Sequence, residues 1–407
     1  MSAEVAGQIV TPWRKLYILS FAGALSWLGS ALTTFAVILR DKDHIGAGGV
    51  SLYLVAFGLP SIFMAPVSGW VADRFSSRQV VLPALAVMGL SSFSLSQGLP
   101  IWWTPFALLI TACAGTLVGP SMQAAQVAIT NPDDLPRVTG LMQSMASAGT
   151  LFAPALGGIL VSTTGYFWPF VIDAISFWLL AVVFFAINVN RKSVQHQAGQ
   201  KVNAMDGLKV VFSDRLIRAL VILVGVLIIA LGSFNVGEVF LVKDQLHAST
   251  FIYGIVAALF AAGSIIGALL TAAIKVPATK HAAAALVGIA GIILSMLGLS
   301  LAPHWWVAMV FSFTAGISNS MLNAYAISII MTRSPAEALG RVNAAIGAVI
   351  ASGSVLGIVV AGIAIAQFGV RPALFVGAVL SAIILAIFGP EVVRAGRGHK
   401  AAEANAE

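Results

Sequence analysis

Charge is what this sequence lacks most. Only 9% of its 407 residues are charged, against 59% that are hydrophobic, whereas an ordinary soluble domain carries about 25% charged residues. Too few charges remain to cover a water-soluble fold of this size, so lipid is the solvent that suits the composition. Cysteine is almost missing. Cys113 stands alone, which excludes an intrachain disulfide and any metal clip made of two thiolates. His44, His196, His247, His281, His304 and His399 fall at loops or at the ends of apolar runs, without metal-ligand spacing, so no metal is expected. No Gly-x-x-x-x-Gly-Lys-Ser/Thr loop occurs, so the chain itself does not spend ATP. A catalytic cluster and a sensor domain are also lacking, which argues against a membrane enzyme or receptor. No cofactor is expected.

What the sequence has is long apolar runs. A membrane-spanning helix needs about 20 mostly apolar residues, and runs of that kind occur at 15–39, 48–71, 79–99, 102–127, 137–162, 167–189, 217–241, 250–274, 281–302, 305–331, 341–367 and 370–389. Strands of a membrane barrel would instead show alternating segments of about ten residues, and these runs are continuous and longer. The first run, Leu16 to Leu39, is too long for a cleaved signal peptide and reads as the first span. The fold class expected is an all-α membrane protein: twelve transmembrane helices in two six-helix pseudo-symmetric bundles.

The net charge of +7 could point to nucleic acid, but the basic residues sit in short segments between apolar runs, where they report topology. With both termini in the cytoplasm, 18 of the 22 Lys and Arg residues lie inside, leaving Arg40, Lys42, Lys243 and Arg371 outside. No nucleic acid is therefore expected as a partner, and the surroundings are a lipid bilayer. The longest hydrophilic stretch, Asn190 to Arg218, reads as a cytoplasmic linker, with a short amphipathic helix near Gly207–Phe212. This gives a six-helix bundle at 1–189, a linker at 190–216, a second six-helix bundle at 217–390 and a cytoplasmic tail at 391–407. An internal repeat supports the halves. Residues 136–165 align on 340–369 with 6 identities in 30 positions, among them Arg137 on Arg341, Gly149 on Gly353 and Gly165 on Gly369. Both copies enter the membrane from the same side, as parallel repeats do.

Two motifs carry mechanism. After the second run comes Gly69-Trp70-Val71-Ala72-Asp73-Arg74-Phe75-Ser76-Ser77-Arg78. Gly69 lets helices approach closely. Asp73 at a helix end can pair with Arg78 or cap the N-terminus of a neighbouring helix, and such a charge cluster can latch one of two rigid-body states. The fifth run carries Gly149-Thr150-Leu151-Phe152-Ala153-Pro154-Ala155-Leu156-Gly157-Gly158. Pro154 removes a helical hydrogen bond and bends the helix, while Gly149, Gly157 and Gly158 permit tight packing.

These segments resemble the major facilitator superfamily. Gly69, Asp73, Arg74 and Arg78 match its loop motif, with Ser76 where glycine is usual. Gly149 to Gly158 looks like the glycine-proline motif of its exporters, with Ala153 where glycine is usual. Phe170-Val171-Ile172-Asp173-Ala174-Ile175-Ser176-Phe177 and Gly237-Glu238-Val239-Phe240-Leu241-Val242-Lys243-Asp244, with Tyr253-Gly254, resemble its macrolide- and siderophore-exporter branch. The resemblance implies the major facilitator fold, with spans 1, 4, 7 and 10 around a cavity, and a drug:proton antiporter without cofactors, driven by a proton gradient. The fourth run has no arginine, unlike many proton antiporters of the superfamily, so coupling cannot be assigned to that residue.

Acidic groups inside apolar runs are functional candidates, and two occur: Asp173 in the sixth run and Glu238 in the seventh. Either could carry the proton. Glu238 belongs to a span that the resemblance places at the cavity. The alternatives are that Asp173 is a satisfied structural carboxyl and that Glu238 sits in outer-surface water. Candidate substrate contacts are Trp27, Ser30 and Thr34 in the first run, Gln123 and Gln126 in the fourth, Asn235 in the seventh, and Asn319, Asn323 and Tyr325 in the tenth. An apolar pocket with aromatics and a few amides suits a lipophilic or amphipathic small molecule, although the same groups could serve interhelical hydrogen bonds. A proton entering down roughly 100 mV and one pH unit releases about 3.7 kcal/mol, enough for a gradient of about 500-fold. The expected function is thus export of drugs or secreted metabolites from a bacterial inner membrane by a chain acting as a monomer. A siderophore- or lysophospholipid-specific transporter and a nutrient uptake carrier are the alternatives.

Overall fold

The structure, a computed structural model, describes residues 11–131, 134–188, 212–274, 276–333 and 339–403. Of the expected linker at 190–216, residues 190–211, with most of its amphipathic helix, lie outside the described residues, and its last two residues already belong to the helix that starts at Arg215. Backbone N–H and C=O groups in lipid must be paired within the segment or barrel that carries them, and these apolar runs meet that demand as helices; no strand occurs among the described residues. The helices are α1 (Trp13–Gly58), α2 (Pro60–Phe63), α3 (Ala65–Arg74), α4 (Ser77–Leu95), α5 (Trp103–Ala128), α6 (Leu135–Thr164), α7 (Phe167–Ile187), α8 (Arg215–Phe240), α9 (Thr250–Ala273), α10 (His281–Ser300), α11 (Trp305–Arg333), α12 (Leu339–Phe368) and α13 (Val370–Glu403). Nine helical stretches among the described residues are long and apolar enough to cross a membrane. One of them holds two spans, since α1 is non-helical at Gly46 (φ 60°, ψ −169°). With α6 and α11, the spans number twelve.

The second span departs from the sequence expectation. Residues 48–71 read as one continuous run, yet the helix stops at Gly58, restarts at Pro60 and restarts again at Ala65. Pro60 and Pro66 supply no N–H and stand at helix starts, where that loss is harmless. Beyond Phe240 the seventh span continues as one π turn, Leu241–Gln245.

The chain divides into two compact units, residues 1–40 with 56–199, and residues 41–55 with 200–407. Within each, glycines bring spans into backbone contact, though at different positions of the two repeat copies: Gly353, which aligns on Gly149, meets only an ordinary side-chain contact 3.5 Å from Ile228. A Cβ added at Gly149 of α6 would lie 2.6 Å from the carbonyl oxygen of Ala24 in α1, and one at Gly157 would lie 2.8 Å from the ring of Phe35. In the second unit, a Cβ at Gly357 of α12 would lie 2.7 Å from the carbonyl oxygen of Ile229 in α8. Both copies end alike. Gly165 and Gly369 adopt φ of 74° and 87°, and their N–H groups donate to Val161 and Ile365, which the repeat also aligns. Only glycine takes that backbone without strain, so the match extends from residue identity to the geometry that needs it.

Cations close several helix ends. At the end of α7, Lys15 Nζ donates to the Ile187 carbonyl at 3.2 Å and Arg78 to the Phe185 carbonyl at 2.5 Å, both favourable at a helix C-terminus. Arg40 holds the Leu95 carbonyl (3.0 Å) and Thr104 (2.8 Å). Arg371 holds the carbonyls of Ser300 (3.1 Å) and Ala302 (2.7 Å) and Gln245 (2.8 Å). Asp214 caps α8 by accepting from the N–H groups of Leu216 and Ile217.

Candidate functional site

The two intramembrane carboxyls have opposite surroundings. Asp173 of α7 is 1% exposed. It accepts hydrogen bonds from Thr33 (2.8 Å), Ser30 (3.4 Å) and Ser92, so that three hydroxyls from α1 and α4 converge on it. A Cβ at Gly29 would lie 2.8 Å from both its Cα and its Oδ1, so nothing but the packed helices surrounds it. Ser92 and Thr33 were not singled out in the sequence.

Glu238 of α8 has no such shell. Its Oε1 is buried and has no hydrogen-bond partner among the described residues. It lines a cavity of about 380 Å³ together with Asn235, Asn319, Phe234, Phe260 and Met296. The Phe234 and Phe260 rings lie 5.7 Å apart. Tyr253, on the neighbouring α9, lies within electrostatic reach of the carboxyl. Asn235 and Glu238 share this wall because three residues amount to almost one helical turn.

A second cavity, of about 430 Å³, runs along α8, α11 and α12 and is lined mainly by Leu, Ile and Val, with Gly225, Gly347, Ala326, Asn319 and Asn323 among them. Leu231 and Asn319 line both cavities. Asn323, at the second, donates to the Asn319 carbonyl at 2.8 Å and to its Oδ1 at 3.3 Å, holding that amide at the junction.

The remaining candidates scatter. Trp27 is exposed. Ser30 is turned to Asp173, and Thr34 donates to the Ser30 carbonyl at 2.9 Å. Gln123 lines a shallow pocket with Pro120 and Val127, and Gln126 is buried and does not line it. Tyr325 is buried with its ring 5.4 Å from that of His281 and lines neither large cavity. Of the loop motif, Arg74 lies over the Trp70 ring at 5.4 Å and Arg78 engages Phe185 as above; the side chain of Asp73 lies outside the described residues. Pro154 lies inside α6, and Gly158 is buried.

The model of the Major Facilitator Superfamily matches residues 19–274 and 222–406. The chain belongs to that superfamily. It is accordingly a multi-pass membrane protein of a transporter family. Among similar proteins, the uncharacterized MFS-type transporter YfiS of Bacillus subtilis is 26% identical over 42% of this chain and 42% of its own length, so the chain spans less than half of that relative. The multidrug efflux pump Tap of Mycobacterium bovis is 24% identical over 82% of each chain. The tetracycline resistance protein, class C, of Escherichia coli is 25% identical over 73% of this chain and 76% of its own. Among solved structures, the nucleoside transporter NupG superposes with a TM-score of 0.73 at 17% identity, covering 93% of this chain and 98% of its own. A bacterial homolog of the human lysosomal transporter Spinster superposes with a TM-score of 0.71 at 14% identity, covering 95% and 98%. At such identities these superpositions establish the superfamily's fold.

Proposed function

We propose that this protein exports lipophilic or amphipathic small molecules across a bacterial inner membrane in exchange for protons, by alternating access. One observation carries the reading: the Glu238 carboxyl, with one oxygen unpartnered, stands on the wall of a cavity of ligand size. A lone negative charge facing an apolar wall is costly unless something neutralises it. A proton and a substrate are the two candidates, and their competition for one carboxyl is the essence of exchange. Asp173, satisfied by three hydroxyls and lining neither of the two cavities described above, suits a structural role better. The names of the relatives Tap and tetracycline resistance protein support export over nutrient uptake.

Asp73, Arg74 and Arg78, close to Gly69, serve in this reading as a latch at the cytoplasmic ends of the helices. Arg78 keeps one buried donor, Nε, without an acceptor among the described residues, and an approaching Asp73 would fit it. Gly149, Pro154, Gly157 and Gly158 form the bent, closely packed helix of an exporter. Glu238→Gln tests the coupling. In reconstituted vesicles with an imposed pH gradient, substrate exchange should fall to background while the protein remains folded. A full rate from that variant would remove Glu238 from the mechanism.

A further inference from the structure

Gly225 and Gly347 are unlike the glycines that join helices. A Cβ built at Gly232 would lie 2.1 Å from the Gly357 carbonyl oxygen, but one built at Gly225 or Gly347 would meet nothing within 4 Å among the described residues. Both line the apolar cavity along α8, α11 and α12. Glycine inside a helix costs stability relative to alanine, and neither residue recovers that loss by letting helices approach. What the two glycines leave is room. The cavity they widen lies within the volume range of small-molecule sites.

The geometry relates this space to the Glu238 cavity. The two lie in series along α8, one lined by residues 231–238 and the other by residues 217–231 of that helix. Seven residues separate Leu231 from Glu238, a rise of about 10 Å. Among the described residues, neither cavity is lined by Lys, Arg or His. An anionic group at Glu238 would therefore meet a carboxylate with no compensating cation, whereas a cation meets the unpartnered Oε1 and two aromatic rings.

We propose that the cavity along α8, α11 and α12 is a second ligand subsite, taking the apolar tail of an amphipathic organic cation whose charged head lies at Glu238. Asn319, held by Asn323, marks the passage from head to tail. The proposal rests on reading the Glu238 cavity as the substrate site. It implies that tail length sets specificity: a tail short of about 10 Å stays beside Glu238, and a longer one passes Leu231 into the second cavity.

The test is calorimetric binding of N-butyl-, N-hexyl- and N-decylpyridinium to the full chain in lipid nanodiscs, with empty nanodiscs subtracted. Affinity should rise along the series, because each further methylene removed from water strengthens binding by about fourfold. Gly225→Leu and Gly347→Leu, which fill open space, should each weaken the decyl compound by at least about tenfold more than the butyl compound, the equivalent of about two methylenes excluded. Ile350→Ala, which enlarges the same cavity, should move the preference towards longer tails, a gain that misfolding cannot imitate. Equal losses for butyl and decyl, or none, would overturn the subsite; if Glu238→Gln still weakened butyl binding, the reading of the Glu238 cavity would survive that failure. Butyl binding unaffected by Glu238→Gln would overturn the head position and the reading beneath it. Decanol binding as tightly as decylpyridinium would show a space for lipid chains and overturn the assignment to a cation.

Discussion

Asp173 and Glu238 share one functional group and differ in what surrounds it. Replacing Asp173 by alanine strands the buried hydroxyls of Thr33 and Ser92, while Ser30 keeps the Ser26 carbonyl as acceptor, and each buried hydroxyl left without an acceptor costs about 1–3 kcal/mol. Asp173→Ala should therefore lower the midpoint of thermal unfolding in detergent, and Asp173→Asn, which keeps an acceptor, should lower it less. Transport per folded molecule should persist in the asparagine variant; its loss would return Asp173 to the list of proton carriers. Both acids were visible in the sequence, because acids are rare in apolar runs. Their different surroundings were not. Serine and threonine occur throughout the spans, and nothing in their spacing marks Ser92 of α4 as a partner of a residue 81 positions away. The same holds for Phe260 and Met296, ordinary apolar residues until α9 and α10 bring them to the Glu238 wall.

Among the helices, position decides what a glycine is for. Gly149→Val would push a side chain into the α1 backbone at Ala24, and neither helix can yield without giving up its own hydrogen bonds. Such overpacking costs roughly 1–3 kcal/mol or more, so the variant should show reduced folded yield and early unfolding by size-exclusion and thermal assays. Unchanged behaviour would mean that α1 and α6 do not meet there. The end of α7 offers a milder case. Arg78→Gln removes a cation from the exposed Phe185 carbonyl and should cost about 0.3–1 kcal/mol, read as a slightly lowered unfolding midpoint. The repeat at 136–165 and 340–369 foretold the matching ends at Gly165 and Gly369, since these depend on local residue type, but not the packing glycines, because the close contact of the second copy is at Gly357, which aligns on Ala153. The break in the second span went unread there, although Gly58, Pro60 and Pro66 stood in plain view, because apolarity reports burial in lipid and not the continuity of hydrogen bonds.

At the level of the whole molecule, twelve apolar runs were enough to give the fold class, since lipid leaves a chain so few ways to satisfy its backbone. Asp73→Asn should leave insertion intact and slow efflux from vesicles; weakening a latch by about 1.4 kcal/mol changes the balance of two states tenfold. Normal rates would show that the loop motif does no switching. Sequence could not foresee that residues 41–55 belong with the second unit. Lys42, 4% exposed, pairs with Asp244 at 2.6 Å, and a Cβ at Gly362 would press on Ser51 at 2.2 Å. A second half expressed alone, as residues 200–407, should accordingly be less stable than one co-expressed with residues 1–199, by protease resistance and yield. The pairing also bears on how the protein is made. Lys42 leaves the ribosome 202 residues ahead of Asp244, which at about 5–20 residues per second amounts to roughly 10–40 seconds of translation. For that interval a lysine and a stretch of helix wait at the membrane for a docking surface that has not yet been synthesised.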